Sequence, residues 1–453
     1  MMLEMIAPEL FSAFSLRDSP HGEGIMRILA AAIQAVEPAA AVHRHVNLQG
    51  NILRIGKKTY DLEVYGRIFL IGMGKAAPAM AQALDDLLGD RISTGLIVTK
   101  EIPPGFLSRL PIMEAGHPVP DELSLRAGEK ITQLLDNLKA TDLVLCLISG
   151  GASALVASPY PGIDLKDIQK LTSVLLACGA RIDEVNTLRR KLDRLKGGGL
   201  AHHSVPAQLV SLILSDVVGD PLEAIASGPT VFDPTSTADA IKILEKYHIK
   251  GQIPASIINF LGLEHENLSW DGSDFEKIQN IIIANNLQSA QAALAQAKSE
   301  GYNTYLLRTD LQGEAREVAH ELCNNLRWAW QRHDPLPPPA CILAGGETTV
   351  TLRGNGQGGR NLELALSAVS DLADFPKVML ISLATDGQDG NTDSAGAVVT
   401  GDSFKRGTSL GLHPTTYLED NDSFAYFSAL GDLLKPVVTG TNVNDLTFLF
   451  TFE

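Results

Sequence analysis

Cysteine is scarce in this chain: four residues, Cys146, Cys178, Cys323 and Cys341, in 453. They are widely spaced, and no pair has metal-ligand separation. Cys146 and Cys341 stand in apolar, strand-like runs, so buried reduced thiols are expected. Basic charge is short too, with 37 Lys and Arg against 53 Asp and Glu and a net charge of −16. That balance argues against a nucleic-acid partner, although a local pocket can be positive in an acidic protein. Long apolar runs are missing, and none approaches the ~20 residues of a membrane-spanning helix. The start, MMLEMIAPELFSAFS, lacks the basic n-region and long apolar h-region of a signal peptide. The expected location is therefore cytoplasmic, with no membrane partner. No GxxxxGK[ST] sequence occurs, which removes the P-loop mode of nucleotide binding. No HExxH or paired histidines occur, so a catalytic zinc is not expected; His117, in AGHPVPD, is the most loop-like histidine.

What is present suits a two-domain α/β protein, with 45% hydrophobic residues in a chain too long for one typical domain. Strand-like runs at 67–73, 95–99, 142–148 and 210–214 alternate with helical patterns such as Ala76–Leu88. This rhythm predicts βαβ units and a mainly parallel sheet, with ligands outside the carboxyl ends of its strands. The glycine motifs stop between Asp233 and Gly272, where a domain boundary is expected. Alternation then restarts, with strands at 281–285, 303–307, 340–344 and 377–385 and helices over Leu287–Lys298 and Glu314–Trp330. There is no internal repeat and no long low-complexity segment.

Glycine clusters are the most informative feature. In IGMGKAAPAM, Gly72 and Gly74 allow a tight strand-to-helix turn, and Lys75 adds a positive charge where a helix N-terminus can favour an anion. The bland alternative is a tight turn with an incidental lysine. The GxGxxA pattern also suits a dinucleotide, but the next strand ends in Thr99 and Lys100 rather than a ribose-binding acid. LISGGASAL places Ser149, Gly150, Gly151 and Ser153 between a strand and a helix, as an anion or substrate cradle or a simple turn; the GxSxG elbow of a nucleophilic serine is absent. RRKLDRLKGGGLA carries five cations in eight residues, Arg189, Arg190, Lys191, Arg194 and Lys196, followed by Gly197, Gly198 and Gly199. It reads either as a solvated helix face or as a phosphate-facing cluster. Asp216, Asp220 and Glu223 follow one strand, and Asp386, Asp389 and Asp393 another. They are hard oxygen donors suited to Mg²⁺, or turn caps. The densest cluster, GGETTVTLRGNGQGGRNLELA from Gly345 to Ala365, has six glycines in its first fifteen residues and then Arg360.

IGMGKAA, EAGHPVPD, LISGGASAL, LKGGGLA, LSDVVGDPLEAIASGPT, LQGEAREVA, the Gly345–Ala365 stretch, ATDGQDGNTDSAGA and GTNVNDL, in this order, resemble the glycerate 2-kinases of the MOFRL type. The resemblance implies a Rossmann-like N-terminal domain, placed over residues 1–250, and a smaller α/β C-terminal domain over 275–453, with the active site in the cleft between them. It implies transfer of phosphate from ATP, with Mg²⁺, to the 2-hydroxyl of D-glycerate, and an oligomer is compatible with it. The family's central lysine and arginine fall on Lys75 and Arg360. On this reading Lys75, Arg360 and Asp216 are catalytic, and Asp216, Asp386 and Asp389 hold the metal. Gly74, Ser149, Gly150, Gly151, Ser153, Arg189, Lys196, Gly197 and Gly198 face substrate or phosphate. Gly345, Gly346, Glu347, Thr348, Gly356, Gly358 and Gly359 hold the nucleotide through backbone amides. The chain departs from the family at Lys191, Asp193, Gly199, Gln357 and Leu362, which flank the cradles. The competing readings are an NAD(P)H-dependent hydroxypyruvate reductase using His117 and a nucleotide binder without turnover.

Overall fold

A computed structural model describes residues 6–103, 106, 109–263, 275, 277–436 and 438–453, and the chain separates into two compact units. The first contains Ala41–Ser215 and Asp220–Ile283; the second contains the residues up to Ala40, Asp216–Gly219 and Ala284–Glu453.

The first unit opens with an antiparallel meander of β1 (Val46–Gln49), β2 (Ile52–Ile55) and β3 (Lys58–Asp61). Its main sheet holds β4 (Arg67–Met73), β5 (Ile92–Thr99), β6 (Ile112–Glu114), β7 (Asp142–Ile148), β8 (Gln208–Leu214) and β9 (Ile278–Ala284) in the order β6-β5-β4-β7-β8-β9. The four pairings from β6 to β8 are parallel, as expected. β4 and β7 are buried on nearly every residue, which is why both read as unbroken apolar runs. The strand order reverses between β4 and β7, and a doubly wound sheet offers its binding crevice at such a point.

The expected boundary at Asp233–Gly272 does not separate the units. Helices Thr237–Lys246 and Ala255–Gly262 lie in the first unit, where Leu244, Ile257 and Leu261 join Leu171, Leu175 and Leu188 in one apolar cluster. Residues 264–274 lie outside those described. The run at 281–285, expected to open the second domain, belongs to β9, the sixth strand of the first sheet.

The second unit holds β10 (Asn303–Leu311), β11 (Ala340–Gly346), β12 (Val378–Ala384), β13 (Gly396–Thr400), β14 (Leu433–Leu434) and β15 (Asp445–Thr451), ordered β10-β11-β15-β12-β13-β14. Only β10 and β11 pair in parallel; β15 is antiparallel to both neighbours. This sheet is therefore mixed. Its inner strand β15, which the alternation did not reveal, turns Phe448 and Phe450 to one face and Leu449 to the other. Burying each such side chain contributes ~2 kcal/mol. Helices Gly22–Gln34 and Asn286–Ser299 cover the phenylalanine face, and Ala315–Arg332 and Arg360–Asp371 cover the other. Residues 6–40 thus complete the C-terminal unit rather than an N-terminal domain spanning 1–250, because the mixed sheet needs apolar cover on both faces. Cys146, Cys323 and Cys341 are buried free thiols, and Cys178 is a half-buried one. Among the described residues no single helix is long and apolar enough to cross a membrane.

Candidate active site

At the switch point of the first unit, the turns after β4 and β7 lock together. The Ser149 N–H donates to Met73 O at 3.0 Å, and the Lys75 N–H to Gly150 O at 3.0 Å. The Ala76 N–H donates to Ser149 Oγ at 3.0 Å, and the Ala77 N–H to Gly74 O at 3.2 Å. The Lys75, Ala76 and Ala77 amides are thus already satisfied, and the expectation that this turn leaves them open to an anion is not met. Gly74 has φ +127°, and a Cβ there would overlap the Ser149 side chain and carbonyl. Glycine is required at this position for close approach of two chain segments.

The side chains do converge. A Cβ on Gly151, whose φ is +87°, would stand 2.9 Å from His117 Cδ2 and 3.6 Å from Lys75 Cγ. Lys75 is exposed, and among the described residues its ammonium has no hydrogen-bond or ion-pair partner. The half-buried His117 imidazole is pushed down to about 4 by desolvation, then by Lys75 and Lys100. Lys75 and a neutral His117 therefore stand against the SGG turn, with Lys100 acting on His117, and among the described residues no protein acceptor takes the Gly150 and Gly151 amides. This is a place for an anion held mainly by side chains. Lys100 and His117 were undervalued in the sequence; their positions just past β5 and β6 were the available signal.

The RRKLDRLKGGG stretch is largely committed to the fold. Lys196 is buried against Asp193 at 2.5 Å and donates to Val156 O at 3.1 Å. The Gly197 and Gly198 amides donate to Ser227 O and Gly228 O at 2.9 and 2.8 Å. Arg190 and Lys191 both pair with Asp233, at 2.9 and 2.7 Å. Asp193, one of the departures from the family pattern, also accepts from the Ser158 and Leu195 amides at 2.9 Å each. Ser153 Oγ meets Ser227 Oγ at 2.8 Å. Of the expected phosphate-facing set, Lys196, Gly197 and Gly198 are thus spent internally. Arg189 differs: it is half-buried, burial lowers its pKa, and among the described residues nothing pairs with it.

In the second unit the amides of residues 353–358, Gly356 and Gly358 of the expected nucleotide set among them, are bonded within the fold. The Arg353 and Gly354 amides donate to Asn421 Oδ1 at 2.6 and 3.0 Å. The Asn355 and Gln357 amides donate to Asp420 Oδ1 and Asp422 Oδ1 at 3.0 and 3.1 Å. The Gly356 amide donates to Asp420 O at 2.8 Å and the Gly358 amide to Asn391 Oδ1 at 3.1 Å. A Cβ at Gly354 or Gly356 would overlap Asp420 or Asp422, so these glycines admit another piece of chain. Gly345 and Gly346 similarly admit the Asn286 side chain and the Leu311 backbone, and Thr348 is buried.

The charged contacts of the loop are concentrated at its end. Arg360 opens helix Arg360–Asp371 and donates from Nε and Nη2 to the two oxygens of Asp445, at 2.5 and 3.1 Å. Its Nη1 lies 3.2 Å from Glu347 Oε1. Asp445 is aligned with Gly346 on one side and Ala384 on the other, because β15 runs against β11 and β12. Glu347 follows β11 directly, and Asp386 comes just past β12. Desolvation raises the Glu347 pKa; Arg360 opposes that, while Asp445, Asp216 and Asp386 reinforce it. Three further carboxylates thus act on Glu347, one of them the Asp445 that holds Arg360. Asp389 has a different task. Its buried carboxyl accepts from the Asn361 and Leu362 amides at 3.1 and 2.8 Å and from Asn361 Nδ2 at 3.3 Å, capping the helix. A Cβ on Gly359 would overlap this carboxyl. Asp389 is therefore not placed as a metal ligand. Among the described residues no three His, Cys, Asp or Glu form a group that could hold a metal ion. Asp445 was missed in the sequence, although GTNVNDL contains it, because the strand it opens was not recognised.

A family model described as a domain of unknown function (DUF4147) matches residues 25–262, and the MOFRL family model matches 340–445. A glycerate 2-kinase of Pyrococcus horikoshii is 38% identical over 424 residues, covering 93% of this chain and 95% of that protein. A D-glycerate 2-kinase of Thermotoga maritima is 39% identical over 422 residues, covering 93% and 96%. The crystal structure of a glycerate kinase from Thermotoga maritima superposes with a TM-score of 0.83 at 38% identity, covering 94% of this chain and 98% of that one. The chain belongs to the glycerate kinase family that joins a DUF4147 domain to a MOFRL domain.

Proposed function

We propose that this protein transfers the γ-phosphoryl group of ATP to the 2-hydroxyl of D-glycerate, giving 2-phosphoglycerate and ADP. The P–O bond to the β-phosphate breaks, a bond from the substrate oxygen to phosphorus forms, and the hydroxyl proton leaves to a carboxylate. The observation that carries the reading is the convergence of Lys75 and a neutral His117 on the SGG turn, with Lys100 acting on His117. A small carboxylate or phosphate has no need of open helix amides there. Phosphoryl transfer asks mainly for positioning and charge stabilisation, and Lys75 and Arg360 are the cations assigned to it.

Mg²⁺ fits the second unit in a limited sense. This ion keeps several waters and takes one or two carboxylates plus phosphates, so a preformed cage of three acids is not required. Asp216 and Asp386 are hard oxygen donors in the field of Glu347. One of them suffices for the ion, and the other is available for the hydroxyl proton. The bound ion would neutralise phosphate charge.

The reductase reading loses support from the β4 turn. The amides that a dinucleotide pyrophosphate would use are bonded to Gly150, Ser149 and Gly74, and a lysine stands at the end of β5. The test is a ³¹P NMR spectrum of the protein with ATP, Mg²⁺ and D-glycerate. A new monoester signal matching 2-phosphoglycerate is expected. A 3-phosphoglycerate signal would keep the kinase and overturn the substrate pose, and no transfer would overturn the reading.

A further inference from the structure

Arg360 has two carboxylate partners that are held very differently. Asp445 binds it through two hydrogen bonds, is only 10% exposed and stands in an inner strand of the sheet. The backbone there is tied as well, since Asn286 Nδ2 donates to Val443 O and Asp445 O at 2.9 and 3.0 Å. Glu347 makes a single 3.2 Å contact, keeps 45% of its side chain exposed and stands among like charges from Asp445, Asp216 and Asp386. An exposed single-point ion pair is weak, while a bidentate arginine–carboxylate pair is strong and directional.

We propose that Asp445 is the positioning residue that aims the Arg360 guanidinium, and that Glu347 is an exchangeable counter-ion which nucleotide phosphates displace. Resting on the kinase reading, this assigns two residues to a regulated arginine. In the free protein Arg360 is neutralised on both sides. An incoming phosphate oxygen takes the Nη1 face that Glu347 leaves, while the Nε and Nη2 face stays with Asp445. Glu347 thereby discriminates by charge: a ligand must carry enough negative charge to replace a carboxylate. Nucleoside triphosphate and pyrophosphate meet that requirement, and an uncharged nucleoside does not.

The experiment uses the full chain, with calorimetric binding of Mg·ATP and of pyrophosphate and steady-state turnover. Glu347→Gln should tighten both ligands by about twofold to fivefold, the strength of a half-exposed pair. Asp445→Asn should lower kcat by about a hundredfold or more, with pyrophosphate affinity within about threefold of wild type. Arg360→Lys, which keeps the charge but loses the two-point geometry, should fall to a similar rate. The double variant should lose little more, because the two residues act as one unit. A purely structural Asp445 would instead shift the melting temperature and give additive losses. Unchanged or weaker binding by Glu347→Gln, or Asp445→Asn turning over within about threefold of wild type, overturns the proposal. If Asp445→Asn does not fold, Glu347→Gln still decides the exchange. Wild-type protein that takes up neither ligand overturns the kinase reading, and this inference with it.

Discussion

Asp389 offers a sharp test of capping against metal binding. Its carboxyl satisfies two main-chain amides of helix Arg360–Asp371 and the Asn361 side chain, and it is buried. Asp389→Ala leaves three buried donors without an acceptor. A lost cap costs ~1 kcal/mol and each orphaned donor adds to that, so ~2–3 kcal/mol is expected. For a unit of this size that is a drop of ~5–10 °C in its melting transition. The effect also carries a pH signature. Desolvation raises the Asp389 pKa to about 7, with repulsion from Asp445 adding to it and hydrogen bonds from Leu362 and Asn361 opposing it. The folded value lies above the unfolded one, so the fold favours the protonated carboxyl. Its contribution is complete below about pH 4 and is lost as pH rises through about 7. The melting gap between wild type and Asp389→Ala should therefore be widest at about pH 4 and should shrink steadily as pH rises to about 7 and beyond. Scanning calorimetry without divalent ions, across that range, measures both quantities. A metal ligand would behave otherwise: the variant would melt with wild type in the absence of Mg²⁺, and a gap would open only when the ion was added. That outcome, or a gap independent of pH, refutes the capping argument.

Gly74→Ala forces a side chain into Ser149 at φ +127° and should cost more than ~2 kcal/mol, read as a lower melting temperature of the first unit. Lys196→Met strands the buried Asp193 carboxylate and should cost ~3–5 kcal/mol; adding Asp193→Asn should recover much of it, whereas a phosphate-binding role would change ligand affinity and leave melting alone. Lys75→Met, at an exposed lysine, should melt within about 2 °C of wild type yet lose about a thousandfold in kcat/KM. In the same variant the His117 imidazole, which titrates near 4 in the wild type, should titrate at a higher pH by NMR, because one of the two lysines that hold it down is gone.

Much of the first unit was legible because its strands are buried on both faces. Arg67–Met73 and Asp142–Ile148 read as continuous apolar runs and match β4 and β7 end to end. The second unit was less legible because its sheet order depends on the last strand. Asp445–Thr451 pairs with β11 and β12, from which about a hundred and about sixty residues of chain separate it, and no local pattern states which strands it divides. The same non-local pairing hid Asp445, which gains its meaning only when β15 brings it beside Gly346 and Ala384. The boundary expectation failed for a related reason: a pause in glycine motifs marks a change of local structure, not a loss of packing between helices.

Glycine clusters signal close approach, but the sequence does not say of what. At Gly151 the neighbours are Lys75 and His117, the side chains on which the proposed function rests. At Gly354 and Gly356 the neighbour is the Asp420–Asp422 turn, which takes the Gly356 amide and those of Asn355 and Gln357 beside it. Charged residues resolve the ambiguity when their partners are counted. Lys196, Arg190 and Lys191 are paired within the fold, and their glycines are structural. Lys75 and Arg189 have no partner among the described residues, and Arg360 has one fixed and one loosely held. A cation that the fold leaves unneutralised, or neutralises only on an exposed side, retains the capacity to meet an anion from solution. On the proposed kinase reading, Lys75, Lys100, Arg189 and Arg360 are the cations assigned to anion chemistry, and Gly151 lets the chain approach Lys75 closely.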